Sequence, residues 1–422
     1  MSDDLEAVFR REAGRCTATL IRILGDIDLA EDAVAEAFTI AAERWPITGV
    51  PPNPGGWITT TARNRAIDRL RRESTRRDRY LAAHRLVDGD DMTSDDHHPE
   101  FADLDAFVDV VADDQLRLMF LCCHPALAPD AQTALVLRLL GGLDTPEIAR
   151  AFLVPEATIA QRIVRAKRKL HDNHAAYRIP PSAELPDRLH VVLAAISLIF
   201  TEGHTATSGD GLIRVDLSAE GIRLGRVLVE LMPDEPEAVG LLALMLLTDA
   251  RRAARLEADG SMVRLADQDR SRWDAALIAE GHELVRACLR RDQPGPFQFQ
   301  AAIAAVHATA RSVDETNWNE IVSLYDRLMA IAPSPIIALN RAIAIAQRDG
   351  PERGLETLRA ISDPERMRSY PFYPAAFGEL ELRRGNLDAA RGYFASALRL
   401  ARNDAERRFL ERRIRHCDEV ET

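Results

Sequence analysis

Apolar residues recur at three- and four-residue spacing along almost the whole chain, and polar residues fill the positions between them. No stretch shows the alternation of a half-buried strand, so the spacing predicts an all-α protein. Near the start it predicts helices over Leu5–Leu24, Leu29–Trp45 and Pro54–Arg72. In the second of these, Val34, Ala37, Phe38 and Ala41 share a core-facing side, while Glu31, Asp32, Glu36 and Glu43 lie on the polar side. Asp28 followed by Glu31 reads as a capping box opening that helix. In the third, Ile58, Ala62, Ala66 and Leu70 recur every four residues and are expected to pack inward. Arg65, Arg69, Arg72 and Arg76 form a basic stripe on the same helix, with Trp57, Thr60 and Asn64 near its start. Arginines beside an aromatic suit strand-separated DNA, phosphates meeting guanidiniums and bases meeting rings. A solvated arginine face with Trp57 in the core has the same pattern.

The segment from Leu143 to Leu170 carries the sharpest signal. Asp144 or Thr145 can cap a short helix, with Pro146 in a first turn that tolerates proline. Ile148, Ala149 and Phe152 give this helix an apolar side. Leu153-Val154-Pro155 interrupts it, and a second helix follows with Ile159, Ile163, Ala166 and Leu170 at helical spacing. Its other side shows Thr158, Gln161, Arg162, Arg165, Lys167, Arg168 and Lys169. One face that packs and one that meets phosphates and base edges is the pattern of a helix-turn-helix that reads duplex DNA. Thr and Gln can touch base edges, and Arg serves either role. A solvated amphipathic helix is the plainer alternative.

Composition narrows the choice. A chain of 422 residues forms two or three domains, and 46% hydrophobic with 28% charged residues suits a globular protein. No apolar run reaches the ~20 residues of a membrane span, and the acidic N-terminus lacks a signal-peptide core. Cys16, Cys122, Cys123, Cys288 and Cys417 show neither metal-ligand nor redox spacing, so buried thiols in a cytoplasmic protein are expected. The pair Cys122-Cys123 beside His124 does not amount to a zinc site. A phosphate-binding glycine loop and a nucleophile elbow are missing too, so no cofactor, no metal and no enzymatic activity are expected. Two polar stretches, Glu202–Thr205 and Gly260–Trp273, could line a pocket; loop chemistry with caps such as Ser271 explains them equally well.

The net charge of −12 is unevenly spread. Residues 63–79 hold eight arginines, whereas residues 86–114 hold eleven acidic residues and no Lys or Arg. Phosphate contact depends on local field, which the net value averages away. The only lysines are Lys167 and Lys169. These shifts divide the chain into a helical domain over 1–80, an acidic linker over 81–112, the helix-turn-helix domain over 113–178 and a long helical domain over 183–422. Gly378, Gly385, Ala390, Phe394, Ala397 and Leu398 match the spacing of a tetratricopeptide unit; Tyr325, Leu328 and Pro333 match half of another, close to the ~34-residue period.

Taken together, Leu29–Phe38, Trp57–Arg72 and Leu143–Leu170 resemble, in order, the polymerase-binding helix, the −10-reading helix and the −35-reading helix-turn-helix of a bacterial RNA polymerase sigma factor of the extracytoplasmic-function type. The likeness covers about residues 5–175, and the tail resembles that of the subgroup with a C-terminal tetratricopeptide-like extension. It implies that Glu31, Asp32 and Glu36 touch core polymerase. By the same likeness Trp57, Asn64, Arg65, Asp68, Arg69 and Arg72 meet the −10 element, and Thr158, Gln161, Arg162, Arg165, Lys167 and Arg168 meet the −35 element. Core polymerase and promoter DNA are the implied partners, with an intramolecular or protein partner for the tail. Three departures are visible: Leu153 where the turn often holds glycine, a proline- and glycine-rich loop over Pro46–Gly56, and Arg402 where a repeat would end in proline. The competing reading is an autonomous helix-turn-helix regulator whose helical domain senses a ligand or partner; it needs no polymerase.

Overall fold

The computed structural model of the protein describes residues 3–83, 114–152, 154–173, 175, 177–181, 183–205, 213–362, 364–368 and 370–420. Most of the acidic linker and Leu153 lie outside the described residues. The described chain is all-α and divides into two compact units, Met1–Arg150 with Val154–Ala195, and Ala151–Leu153 with Ile196–Thr422.

The first unit begins with three long helices, α1 (Asp3–Leu24), α2 (Ile27–Thr48) and α3 (Pro54–Ala83). Ala30, Ala33, Val34, Ala37, Phe38 and Ala41 of α2 are buried, as are Ile58, Ala62 and Ala66 of α3. So many alanines let the two helix axes approach closely. Ile58, fully buried, contributes about 1.5–3 kcal/mol through the area it removes from water. Two expectations need correction. The cap of α2 is Asp26, whose carboxylate accepts from the Leu29 N–H at 2.8 Å, so Asp28 lies in the first turn instead. Leu70 is 44% exposed and leaves the inward row that Ile58, Ala62 and Ala66 keep. α2 also runs through Pro46 and ends at Gly49, which stands at φ 80° and donates its N–H to the Trp45 carbonyl. α3 continues well past Arg72.

A helix over 114–122 (α4) leads into α5 (Pro129–Leu139), α6 (Thr145–Phe152) and α7 (Glu156–Asp172). Asp144 and Glu147 cap α6 reciprocally: the Asp144 carboxylate accepts from the Glu147 N–H at 2.7 Å, and Glu147 accepts from the Asp144 N–H at 2.8 Å. Ile159, Ile163, Ala166 and Leu170 form the buried side of α7. α8 (Leu185–His204) begins in this unit, where Leu189, Val192 and Leu193 are buried and Arg188 donates to the Phe120 carbonyl at 2.6 Å.

In the second unit the remaining helices pack largely against their chain neighbours. They are α9 (Val215–Leu231), α10 (Pro236–Asp249), α11 (Ala275–Arg291), α12 (Pro296–Thr309), α13 (Trp318–Ile331), α14 (Pro335–Asp349), α15 (Pro351–Arg359), α16 (Phe372–Arg383), α17 (Leu387–Leu398) and α18 (Asp404–Val420). α16 and α17 form a pair about the Gly385-Asn386 turn. Gly378 lets them meet: a Cβ there would stand 2.8 Å from the fully buried ring of Phe394. Between α10 and α11 lies a segment of short 3-10 turns. The cap of α11 is Asp274, which accepts from the N–H groups of Ala276 and Leu277; Ser271 sits within the preceding 3-10 turn.

Candidate nucleic-acid interface

α3 turns Thr60, Asn64, Arg65, Asp68, Arg69 and Arg72 to solvent, opposite the buried Ile58, Ala62 and Ala66. The basic stripe is therefore an exposed face as far as Arg72. Trp57 is half-buried at its start, edge-on to Trp45 with ring centroids 5.4 Å apart. Packing thus accounts for part of that ring. Arg69 Nη1 donates to Asp32 at 2.9 Å, which joins a residue expected at the −10 element to one expected at the polymerase.

On α7, Thr158, Gln161, Arg165, Arg168 and Lys169 are exposed, with Val164 among them. Spacings of three and four residues put Thr158, Gln161, Arg165 and Arg168 on one stripe. The other two expected DNA contacts point elsewhere. Arg162 is half-buried, with Nη2 3.5 Å from the Asp130 carboxylate. Lys167 lies nine residues beyond Thr158, about 180° around the helix at 3.6 residues per turn.

That turn brings Lys167 against α2. Its ammonium donates to Asp28 at 2.5 Å and to Glu31 at 2.8 Å, and Arg138 of α5 donates to the other oxygen of Glu31. The Lys167 and Glu31 side chains are only 15% and 17% exposed. Burial opposes the charge on Lys167, and the carboxylates of Glu31 and Asp28 more than offset it, so its pKa is raised. Glu31, expected at the polymerase, and Lys167, expected at DNA, thus occupy each other. Asp32 and Glu36 remain exposed.

Two further features hold α1–α3 to α4–α7, and neither was visible in the sequence. Asp114, fully buried, accepts from Arg22 and Arg117 at 2.9 Å each, while Tyr177 Oη lies 2.7 Å from the Ala18 carbonyl and 2.8 Å from that of Asp114. Gly14 of α1 faces the end of α5 so closely that a Cβ would stand 2.6 Å from the Leu140 carbonyl oxygen. Residues separated by 92 to 159 positions meet here, and no local spacing announces such a contact.

The five cysteines are buried free thiols. Burial pushes the Cys123 thiol up to about 12 and Cys122 well above its usual range, so neither is a thiolate near neutral pH. Among the described residues no group of three His, Cys, Asp or Glu side chains is placed to hold a metal ion, and no helix is long and apolar enough to cross a membrane.

Comparison with known proteins agrees with this geometry. Residues 8–76 match the family described as Sigma-70 region 2, and residues 117–170 match Sigma-70, region 4. Residues 188–289 match a family of unknown function, DUF6596. An uncharacterized protein of Rhizobium meliloti (strain 1021), R00370, is 40% identical over 398 residues, covering 94% of this chain and 92% of the relative. The probable ECF RNA polymerase sigma factor SigI of Mycobacterium tuberculosis is 28% identical over 180 residues, covering 43% of this chain and 59% of that protein. Sigma-70 regions 2 and 4, matched in that order, together with the likeness to SigI, place the first part of the chain in the sigma-70 family of sigma factors.

Proposed function

We propose that this protein directs core RNA polymerase to specific promoters in the cytoplasm as an extracytoplasmic-function sigma factor. α3 captures the opened −10 strand through Trp57, Asn64, Arg65, Asp68, Arg69 and Arg72. α7 grips the −35 duplex through Thr158, Gln161, Arg165 and Arg168, with Asp32 and Glu36 on the polymerase. The observation that carries this reading is the pair of exposed faces on α3 and α7, each backed by a buried apolar row on the same helix. Duplex and single-strand recognition need separate surfaces of these two kinds. The test is promoter binding with and without core polymerase: a sigma factor binds its promoter specifically only in the holoenzyme. Specific binding by the chain alone would favour the autonomous regulator.

The clasp of Glu31 with Arg138 and Lys167 supports one addition. In the free chain one expected polymerase contact, Glu31, and one expected DNA contact, Lys167, occupy each other, so engaging Glu31 on polymerase requires the clasp to open. Lys167 joins the −35 surface after that opening, whereas Arg162 stays near Asp130 of α5.

Gln161→Ala is expected to relax specificity at one −35 base pair and to cost ~1–3 kcal/mol there if it makes a bidentate contact. Binding measured across single-base variants of the −35 element checks this; equal weakening on every sequence would make Gln161 a phosphate contact.

The tail, a tetratricopeptide-like stack in this reading, regulates the factor by binding a protein segment of this chain or of another. Because the first unit runs to Ala195, a truncation after Ala195 tests the tail without stripping the N-terminal half of α8. Promoter-dependent transcription should change several-fold, or roughly 1 kcal/mol of coupling. Equal rates at matched polymerase occupancy would leave the tail without this role.

A further inference from the structure

The second unit holds a half-open cavity of about 330 Å³ among α13, α14, α16 and α18, crossed by the segment between α10 and α11. Trp318, Ile343, Phe372 and Phe409 give it an apolar wall, and the crossing segment contributes Arg270 from the polar stretch Gly260–Trp273. We propose that this cavity binds a small organic carboxylate with an aromatic or branched apolar body.

Charge is the first argument. The guanidiniums lining the cavity are those of Arg264, Arg270 and Arg383, against the single carboxylate of Glu379. Glu379 is already committed, because Arg264 and Arg413 both donate to it. Arg270 bonds only neutral acceptors among the described residues: the carbonyls of His307 and Ala310 at 2.6 Å each and Thr316 Oγ1 at 3.3 Å. Arg383 donates, at 3.3 Å each, to Gln347 Oε1 and the Ala346 carbonyl. A guanidinium has five N–H groups, so Arg383 keeps donors to spare for an anion. Two cations therefore border an apolar space with no carboxylate in contact among the described residues, Glu315 acting on Arg270 only from beyond ion-pair distance.

The surroundings add to this field. Arg251 is near enough to lower the pKa of His307, as is Arg270. Burial, then these two arginines, push the His307 imidazole down to about 4, so its ring is neutral near pH 7 and supplies no further cation. Its Nδ1 is buried without a hydrogen-bond partner among the described residues. An anion neutralises this excess, and a planar carboxylate matches the fork of an arginine.

Size is the second argument. Small-molecule pockets run from ~300 to ~1,000 Å³, and this cavity lies at the lower end. It takes a body such as an indole or a branched acyl chain. The rings of Trp318, Phe372 and Phe409 suit the flat face of such a group.

Calorimetry on the full chain tests the proposal with indole-3-acetate and its neutral isostere indole-3-acetamide. The expected result is saturable, one-to-one binding of the acetate, with the amide at least tenfold weaker. Arg383→Gln, at an exposed position, should weaken acetate binding about tenfold, or about 1.4 kcal/mol, and Ile343→Trp should abolish it by filling the space. Thermal unfolding of both variants within a few degrees of the parent shows that the fold is kept. Equal binding of acetate and amide overturns the proposal, as does binding that survives Ile343→Trp. So does the absence of saturable binding by indole-3-acetate, 3-phenylpropionate and 4-methylvalerate alike. Binding of a hexapeptide with a free C-terminal carboxylate, where all three small acids fail, assigns the space to a protein partner instead. These readouts involve neither polymerase nor promoter, so their outcome is separate from the sigma-factor reading.

Discussion

Replacing Arg65 and Arg69 together by alanine is expected to lower promoter-dependent transcription by about tenfold or more while core polymerase binding stays largely intact. Both arginines stand exposed on α3, beyond the buried row of Ile58, Ala62 and Ala66, so their removal leaves the helix and its packing in place. Each phosphate of single-stranded DNA that an arginine no longer neutralises should reduce the slope of log affinity against log salt by roughly 0.7, or about 1.4 for the pair. Arg69 also holds Asp32 at 2.9 Å, and both side chains are well exposed. Such a pair stabilises the fold by only ~0–1 kcal/mol. Removing Arg69 nevertheless frees a carboxylate expected at the polymerase, so Arg65→Ala alone is the necessary comparison. Permanganate footprinting of the −10 region and run-off transcription measure the effect. Wild-type transcription by the double variant would remove α3 from promoter opening.

Reversing the charge at Lys167 should act in the opposite sense. In Lys167→Glu a third carboxylate meets those of Asp28 and Glu31, leaving Arg138 as their remaining cation in the clasp. If closure of the clasp competes with polymerase, a destabilisation of about 1.4 kcal/mol raises the apparent affinity for core by up to about tenfold. The measurement is made without DNA, which separates it from any role of Lys167 at the −35 element. Gly14→Ala reaches the same contact by another route, since its added methyl would meet the Leu140 carbonyl. Alanine is also the better helix former, so α1 itself is not weakened. Lower or unchanged core affinity in both variants would show that the paired surfaces do not compete with polymerase.

Much of this architecture was legible because it is local. The inward rows of α2 and α7 follow from spacing alone, and Val34, Ala37, Phe38, Ala41, Ile159, Ile163, Ala166 and Leu170 are all buried. Leu70 departs because spacing says which residues share a face and not how far the covering helices extend. The cap of α2 was misplaced by two residues because Asp26 and Asp28 are both good caps, and the choice depends on where the preceding turn at Gly25 bends, with φ 68°. On the candidate surfaces, the exposure of Arg65, Gln161 and Arg165 agrees with the sequence reading. The inward setting of Lys167 does not, because its partners lie 136 and 139 residues away. The cavity was half visible: Gly260–Trp273 marked the polar segment, whereas the rings it faces come from helices far along the chain.

The scarcity of lysine turns the clasp into a built-in reporter. The chain carries two lysine side chains, one closed in by carboxylates at 15% exposure and its neighbour Lys169 open to solvent. Acylating reagents attack the neutral amine, so enclosure and a raised pKa both slow the reaction at Lys167. Lys169, two residues away in the same peptide region, experiences the same reagent without that protection. The ratio of the two acylation rates, read by mass spectrometry on unmodified protein, therefore records the fraction of molecules in the clasped form, before and after polymerase is added.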